Sequence, residues 1–255
     1  MKKEFSKQGY LGIIKFAKSN NYQILPFSDA KKNTKLPKLI LRHDIDLDLH
    51  LALEMAKLEN NFGIEATYFI LLYNNFYNPL SPEGRKIIRE IKGLGHEVGL
   101  HWDSRDYFMK NWEFWFKNNL KILGEIAGEK IVSVSQHEPI STAKMKVNHL
   151  VQNEAYSEKF FDFTYVSDSS MRWRQFTPWD LIQQKKNIHF LAHPMWWLTK
   201  GRSRKQKLLE SFSYNSQAKK SFYNQLNDYI NHTLKNQKEL DQKFGYRNGI
   251  KVNEK

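Results

Sequence analysis

With 255 residues, no cysteine, and 40 Lys/Arg against 27 Asp/Glu, the chain is long enough for one large core, cannot form disulfides or thiolate metal sites, and must draw any metal ligands from His, Asp and Glu. The formal charge of +13 suggests nucleic-acid binding until it is mapped: residues 1–35 hold eight Lys/Arg against two acids and residues 201–255 twelve against five, leaving 36–200 balanced. The basic ends therefore read as solubilising surfaces, or as a rim meeting an anionic membrane surface, and no motif accompanies them that would recognise nucleic acid.

Lys15 and Lys18 interrupt the apolar run from Leu11 to Ala17, and no segment approaches the ~20 apolar residues of a membrane span. A cytoplasmic protein is expected.

In chain order, a helix is predicted from about Ser6 to Asn20, then an extended Tyr22 to Phe27 and a buried strand at Leu39-Ile40-Leu41. A helix through Ala52, Met55, Ala56 and Phe62 should end at Gly63, followed by a strand from Ala66 to Leu72. Ser81-Pro82-Glu83 carries an N-cap, a proline in the first helical position and an acid in the first turn, and Ile87, Ile88 and Ile91 supply the apolar stripe up to Gly93 and Gly95. Glu97 to Leu100 is the next strand, Trp112 to Ile126 the next helix, and Ile131 to Val134 a strand before Gln136. From about Gln206, Phe222, Leu226, Tyr229, Ile230 and Leu234 recur at helical spacing, and the last dozen residues read as a frayed end.

Alternating strand and helix predicts an α/β fold with a parallel sheet, as one domain over 1–255 with a basic N-terminal helical segment (1–35) and a basic C-terminal helical extension (201–255). Polar signals fall where the strands end: Arg42-His43-Asp44-Ile45-Asp46, His96 to His101, Gln136-His137-Glu138, Ser167 to Ser170 and Ala192 to Trp197. Their spacings from Asp44 through His101, His137, Asp168 and His193 are 57, 36, 31 and 25 residues. A βαβ step takes about 30, so the first gap holds two steps and the last is too short for a full helix. In a parallel barrel all these ends open on one face, where they would assemble a metal-hydrolase site.

Alternate side chains of a strand share a face, which groups Arg42, Asp44 and Asp46. Two carboxylates and a guanidinium suit one Asp on a metal with the other as base, oriented by Arg42; they also suit an Arg–Asp pair with Asp46 as N-cap of the next helix. His101 follows the small Gly99, which leaves space before it. His96 and His43 fall on the opposite face and read as structural, while Glu97 shares the parity of His101 and is an outside candidate.

The stretch from Leu41 through Leu72, together with Gly95 to His101, Tyr165 to Ser170 and Leu191 to Trp197, resembles the polysaccharide deacetylase family (carbohydrate esterase family 4, chitooligosaccharide deacetylase-like), and within it members linked to bacterial surface-polysaccharide synthesis. The likeness runs from about Tyr10 to Leu198. It implies a distorted (β/α) barrel of about seven parallel strands that hydrolyses the N-acetyl amide of a sugar with a divalent metal, most often zinc. By this resemblance Asp44 matches the catalytic base and Asp46 the metal-binding Asp, although the family usually sets the two side by side. His101 matches the first metal His. The second metal His would stand at Arg105, and a cation cannot ligate a cation. His137, where the family brings an Arg to the base, is a candidate to close the set, with Arg42 taking the Arg's part; Asp103 is a second candidate, and the other reading has His137 only bonding substrate with the metal weak or missing. His193 matches the catalytic acid and Asp168 the carboxylate that tunes it. Trp196 and Trp197 suit either a platform for a sugar ring or core packing, and Arg172 is a further substrate contact.

These readings add up to deacetylation of an N-acetylated sugar, whether nucleotide-linked, lipid-linked or polymeric, in polysaccharide or glycolipid biosynthesis. Hydrolysis of another non-peptide C–N bond, or a degenerate glycan-binding or scaffolding barrel, stays open beside it.

Overall fold

The computed structural model describes residues 5–139, 145–214, 246–247 and 250–251. Met1–Phe212 form one compact unit and Ser213–Lys255 a second. Within the first, the elements run α1 (Lys7–Ser19), β1 (Gln23–Leu25), β2 (Lys38–Ile45), α2 (Leu49–Asn60), β3 (Thr67–Leu71), α3 (Pro82–Gly93), β4 (Glu97–Trp102), α4 (Trp112–Ala127), β5 (Ser133–Gln136), β6 (Asn153–Glu154), β7 (Thr164–Ser167), α5 (Pro178–Gln183), β8 (Ile188–Leu191) and α6 (Pro194–Leu198), with α7 (Arg204–Tyr214) after them.

Seven strands hydrogen-bond in the order β6, β5, β4, β3, β2, β8, β7, and β1 joins the first half of β2 as an eighth; every pairing is parallel. The end strands β6 and β7 do not pair with each other, so the sheet is a curled, incomplete barrel. The helices pack as neighbours in the order α4, α3, α2, α6, α1, α5. The α-helix between β7 and β8, α5, has only six residues, as the short 25-residue spacing requires. None of the described helices is long and apolar enough to cross a membrane.

Period-two alternation divides the core. Along β2, Leu39, Leu41 and Ile45 join the layer between sheet and helices, whereas Ile40 faces inward with Phe27, Phe69, Phe160 and Phe163. The inner group plugs the barrel, so the polar residues above it sit on an apolar floor. Asp48 caps α2 by accepting from the amides of His50 (2.6 Å) and Leu51 (3.0 Å), so the capping role open to Asp46 falls to Asp48. Ser81 caps α3, whose fully buried Ile88 and Ile91 contribute about 1.5–3 kcal/mol each by leaving water.

The strands that carry the polar signals extend further than hydropathy predicts. β2 runs through Arg42-His43-Asp44 and β4 through His101, because the buried polar side chains find partners within the barrel. The helix expected to reach Gly63 stops at Asn60; Gly63, at φ +61°, turns the chain two residues after its C-cap Asn61. β6 was not expected, since two residues carry no periodicity. In the second unit, β9 (Tyr246–Arg247) and β10 (Ile250–Lys251) pair antiparallel where a frayed end was expected. The helix expected through Phe222, Leu226, Tyr229, Ile230 and Leu234 lies outside the described residues.

Candidate active site and metal centre

Asp44 projects inward near the end of β2, buried, with its Oδ2 accepting from Arg42 Nη2 at 2.9 Å and from Ser135 Oγ at 3.4 Å. Its Oδ1 is buried without a hydrogen-bond partner, an available lone pair aimed from a fixed carboxylate. Arg42 is wholly buried; burial opposes its charge, but Asp44 and the phenol of Tyr156 more than restore it and hold its pKa above the ordinary value. Its other contacts are the Tyr156 hydroxyl at 2.7 Å and Nε2 of His189 at 3.4 Å.

Two residues on, Asp46 sits just past the strand end. Asn74 Nδ2 donates to its carbonyl at 2.9 Å and the Tyr77 hydroxyl to that of Ile45 at 2.7 Å, so the loop after β3 holds this turn in place. Asp46 Oδ1 lies 3.4 Å from both His101 Nε2 and His137 Nδ1. Those two ring nitrogens are 3.1 Å apart. Burial works against a charged Asp46, yet the His101 and His137 rings beside it and the charge of His193 outweigh it and keep the carboxyl far below the usual range.

Three lone-pair donors thus converge, all within 4.8 Å of one another. His101 Nδ1 donates to the Ser135 carbonyl at 2.8 Å, which leaves the Nε2 lone pair facing the cluster; a carbonyl on the far nitrogen is the usual outer support of a ligating His. Asp46 Oδ1 is a buried orphan as a hydrogen-bond acceptor. One carboxylate oxygen and two imidazole nitrogens, with no sulfur, match the donor set of a three-ligand catalytic zinc site with an open position. The residues fit a divalent metal.

His137 reaches the cluster because its amide donates to the Trp102 carbonyl at 2.7 Å, extending the β4–β5 pairing by one residue. Arg105 does not enter. It is exposed and tied to Asp103, whose Oδ1 accepts from its amide at 2.8 Å, and to Glu138 Oε2 at 3.3 Å. Asp103, engaged in that pair, is outside the donor set. Glu97 also stays out: it is buried lower in the barrel, accepting from Thr67 Oγ1 at 2.6 Å and the Ser28 amide at 3.0 Å. The space expected before His101 is filled. The Phe69 ring lies over Gly99, and a Cβ there would come within 2.5 Å of it.

On the opposite strand end, His193 Nδ1 is 2.5 Å from Asp168 Oδ1, and its amide donates to Asp168 Oδ2 at 2.8 Å. Its Nε2 points back, 3.7 Å from Asp46 Oδ2. Burial alone would depress this imidazole, but the adjacent Asp168, helped by Asp46 and Asp44, raises its pKa to about 9. Trp197 Nε1 donates to Asp168 Oδ2 at 2.7 Å, and the indole packs on Phe5, Tyr10 and Trp173. Trp197 is therefore a core residue that orients Asp168 and not a sugar platform. Trp196 does line the cavity. Arg172 is exposed and does not, whereas Arg174 does.

Asp44, Asp46, His101, His137 and His193 all line one cavity of about 970 Å³. Among the polar lining residues that sequence reasoning missed are Tyr156, Tyr165, Arg174 and His189. His189 was within reach, since it shares a strand face with Leu191 and His193. Burial and then the charge of Arg42 push its imidazole well below the ordinary value, leaving a neutral ring that accepts from Arg42.

Neither a protein-family model nor a curated protein matches the sequence. Among solved structures, the chain is similar to a peptidoglycan deacetylase from Bacillus subtilis (14% identity, 78% of this chain and 98% of that one, TM-score 0.46). It is also similar to a chitin deacetylase from Colletotrichum lindemuthianum (15%, 71% and 83%, TM-score 0.43). A third is a family 4 carbohydrate esterase pseudoenzyme from Bacillus anthracis (11%, 73% and 63%, TM-score 0.42), of whose length the chain spans less than two thirds.

Proposed function

We propose that this chain hydrolyses the N-acetyl amide of a sugar, with Asp46, His101 and His137 holding a divalent metal, which we take to be zinc, one of the metals that two imidazoles and a carboxylate suit. The observation that carries the reading is the meeting in one cavity of a three-donor cluster, a carboxylate with a free lone pair and an imidazole backed by a buried carboxylate.

When bound, such a metal supplies Lewis acidity toward the amide oxygen and acidifies water. Asp44 Oδ1 accepts the proton of the attacking water while Arg42, bound to Oδ2, keeps the carboxylate aimed. His193, protonated near neutrality, donates from Nε2 to the leaving nitrogen as the C–N bond breaks, and Asp168 steadies the imidazolium through Nδ1. The products are acetate and a free amine. The half-buried Tyr156 and the exposed Tyr165 offer ring faces to a sugar, the buried Trp196 lines the wall, and the cavity has room for more than one ring.

The sequence resemblance supports a substrate from surface-polysaccharide or glycolipid synthesis, handled in the cytoplasm, with the basic chain ends available to an anionic membrane. The test is acetate release from N-acetylated chito-oligosaccharides by zinc-loaded protein. Asp44→Asn should lose about 10²–10⁴-fold in rate. A variant turning over at the wild-type rate would refute the assignment.

A further inference from the structure

A second polar cluster lies behind the sheet, on the face that the reaction does not use. His43 stands between Arg42 and Asp44 and points the opposite way, fully buried. Its Nε2 is 2.7 Å from Glu59 Oε1 and its Nδ1 2.7 Å from the Ala192 carbonyl. Both neighbours are acceptors, so the ring is held between two oxygen partners, one on each nitrogen. Glu59, reaching in from α2, is kept ionised: burial opposes its charge, but His43 and the hydroxyls of Tyr10 and Tyr68 outweigh it. His96, the remaining titratable group against Glu59 at 3.7 Å, accepts from the Ala66 amide through Nδ1 and donates from Nε2 to the Ala56 carbonyl, hence is neutral.

The position of this ion pair in the sheet gives it a use. Pairing of β2 with β8 ends at Arg42 and Leu191, and its last rung is the Ala192 amide donating to the Arg42 carbonyl at 2.9 Å. Beyond that rung the strands part, the next inward-facing residues being the base Asp44 on one side and the acid His193 on the other. Behind the sheet, His43 reaches across the parting to the carbonyl of Ala192.

We infer that His43 and Glu59 are positioning residues that set the spacing between Asp44 and His193 from behind the sheet. The inference rests on the deacetylase reading for its kinetic consequence, though not for its geometry. Without the ring, the Ala192 carbonyl would lose its side-chain tie to β2 and the turn that presents His193 would hang on the backbone rung alone. Glu59, on the ring's other nitrogen, fixes the plane in which the ring meets that carbonyl.

Removing one partner strands a buried charge, so the informative variant replaces both, His43→Leu with Glu59→Met, a swap of an ion pair for apolar groups of similar size. In the folded double variant, zinc stoichiometry and KM should match the wild type while kcat falls about 10²-fold, the cost of a misplacement near 1 Å. Its crystal structure should show the Ala192 carbonyl and the His193 ring displaced relative to Asp44. A His193 ring in its wild-type place, or a wild-type kcat, would overturn the inference. Absence of acetate release from the wild type would strike the deacetylase reading alone, and the ring position would then decide this one.

Discussion

The two faces of β2 bury polar clusters of similar size a few ångströms apart, on alternate residues of the same strand. Behind the sheet, the His43, Glu59, Tyr10, Tyr68 and His96 side chains all have partners. In front, Asp44 Oδ1 and Asp46 Oδ1 are buried with none. Burying an acceptor unpaired is costly, so a fold that leaves two in one cavity holds them for something that arrives later. The contrast separates a cluster that supports from one that acts, which residue type alone does not: both contain His and acid.

His137→Ala is the sharpest way to break that contrast. It should lower zinc affinity by more than the about 10–100-fold that loss of an outer-shell support costs, read by competition with a chromogenic chelator. Unchanged affinity would remove His137 from the donor set. Glu59→Ala, behind the sheet, should instead cost about 3–5 kcal/mol in urea unfolding, the penalty for stranding a buried partner, with zinc stoichiometry intact. Loss of metal in that variant would merge the two clusters into one.

A pH profile sharpens the front face further. His193 is held at about 9 against an ordinary 6.5, chiefly by Asp168 against the opposing effect of burial. Because the folded value exceeds the unfolded one, its contribution to stability is complete below about 6.5 and is lost as pH climbs through about 9. The same proton goes to the leaving nitrogen, so kcat should fall on the alkaline side near that value, and Asp168→Asn should move the limb toward 6.5. A limb that stays in place would detach Asp168 from the acid. The smallest effect expected is that of Gly99→Ala, where a methyl 2.5 Å from the Phe69 ring and 2.9 Å from the Ser133 carbonyl should cost about 1–3 kcal/mol by overpacking the floor under Arg42.

Much of this was legible in the residues. Parity grouped Arg42 with Asp44 and set His43 and His96 apart, because a strand obeys a period of two whatever surrounds it. Polar residues at strand ends marked His101, His137, Asp168 and His193, because chain connectivity in a parallel sheet sends all those ends to one side. What stayed hidden depends on contacts distant in sequence. Glu59 looks like any helix-surface acid until Tyr10, His43 and Tyr68 fold around it. Tyr156 follows a two-residue strand with no pattern to announce it. Trp197 reads like a sugar platform until its indole is seen on Asp168. Arg172 and Arg174 are equivalent on paper, and only the folded chain shows that Arg174 is the one lining the cavity.

The sulfur-free donor set has a consequence for how this centre would fail. Alkylating reagents and peroxide, which disable thiolate sites, find no cysteine anywhere in the chain. Acid is the natural poison instead: two of the three donors are imidazoles that must shed a proton before they bind a cation, so mild acidification should strip the ion while leaving the barrel folded around its apolar plug.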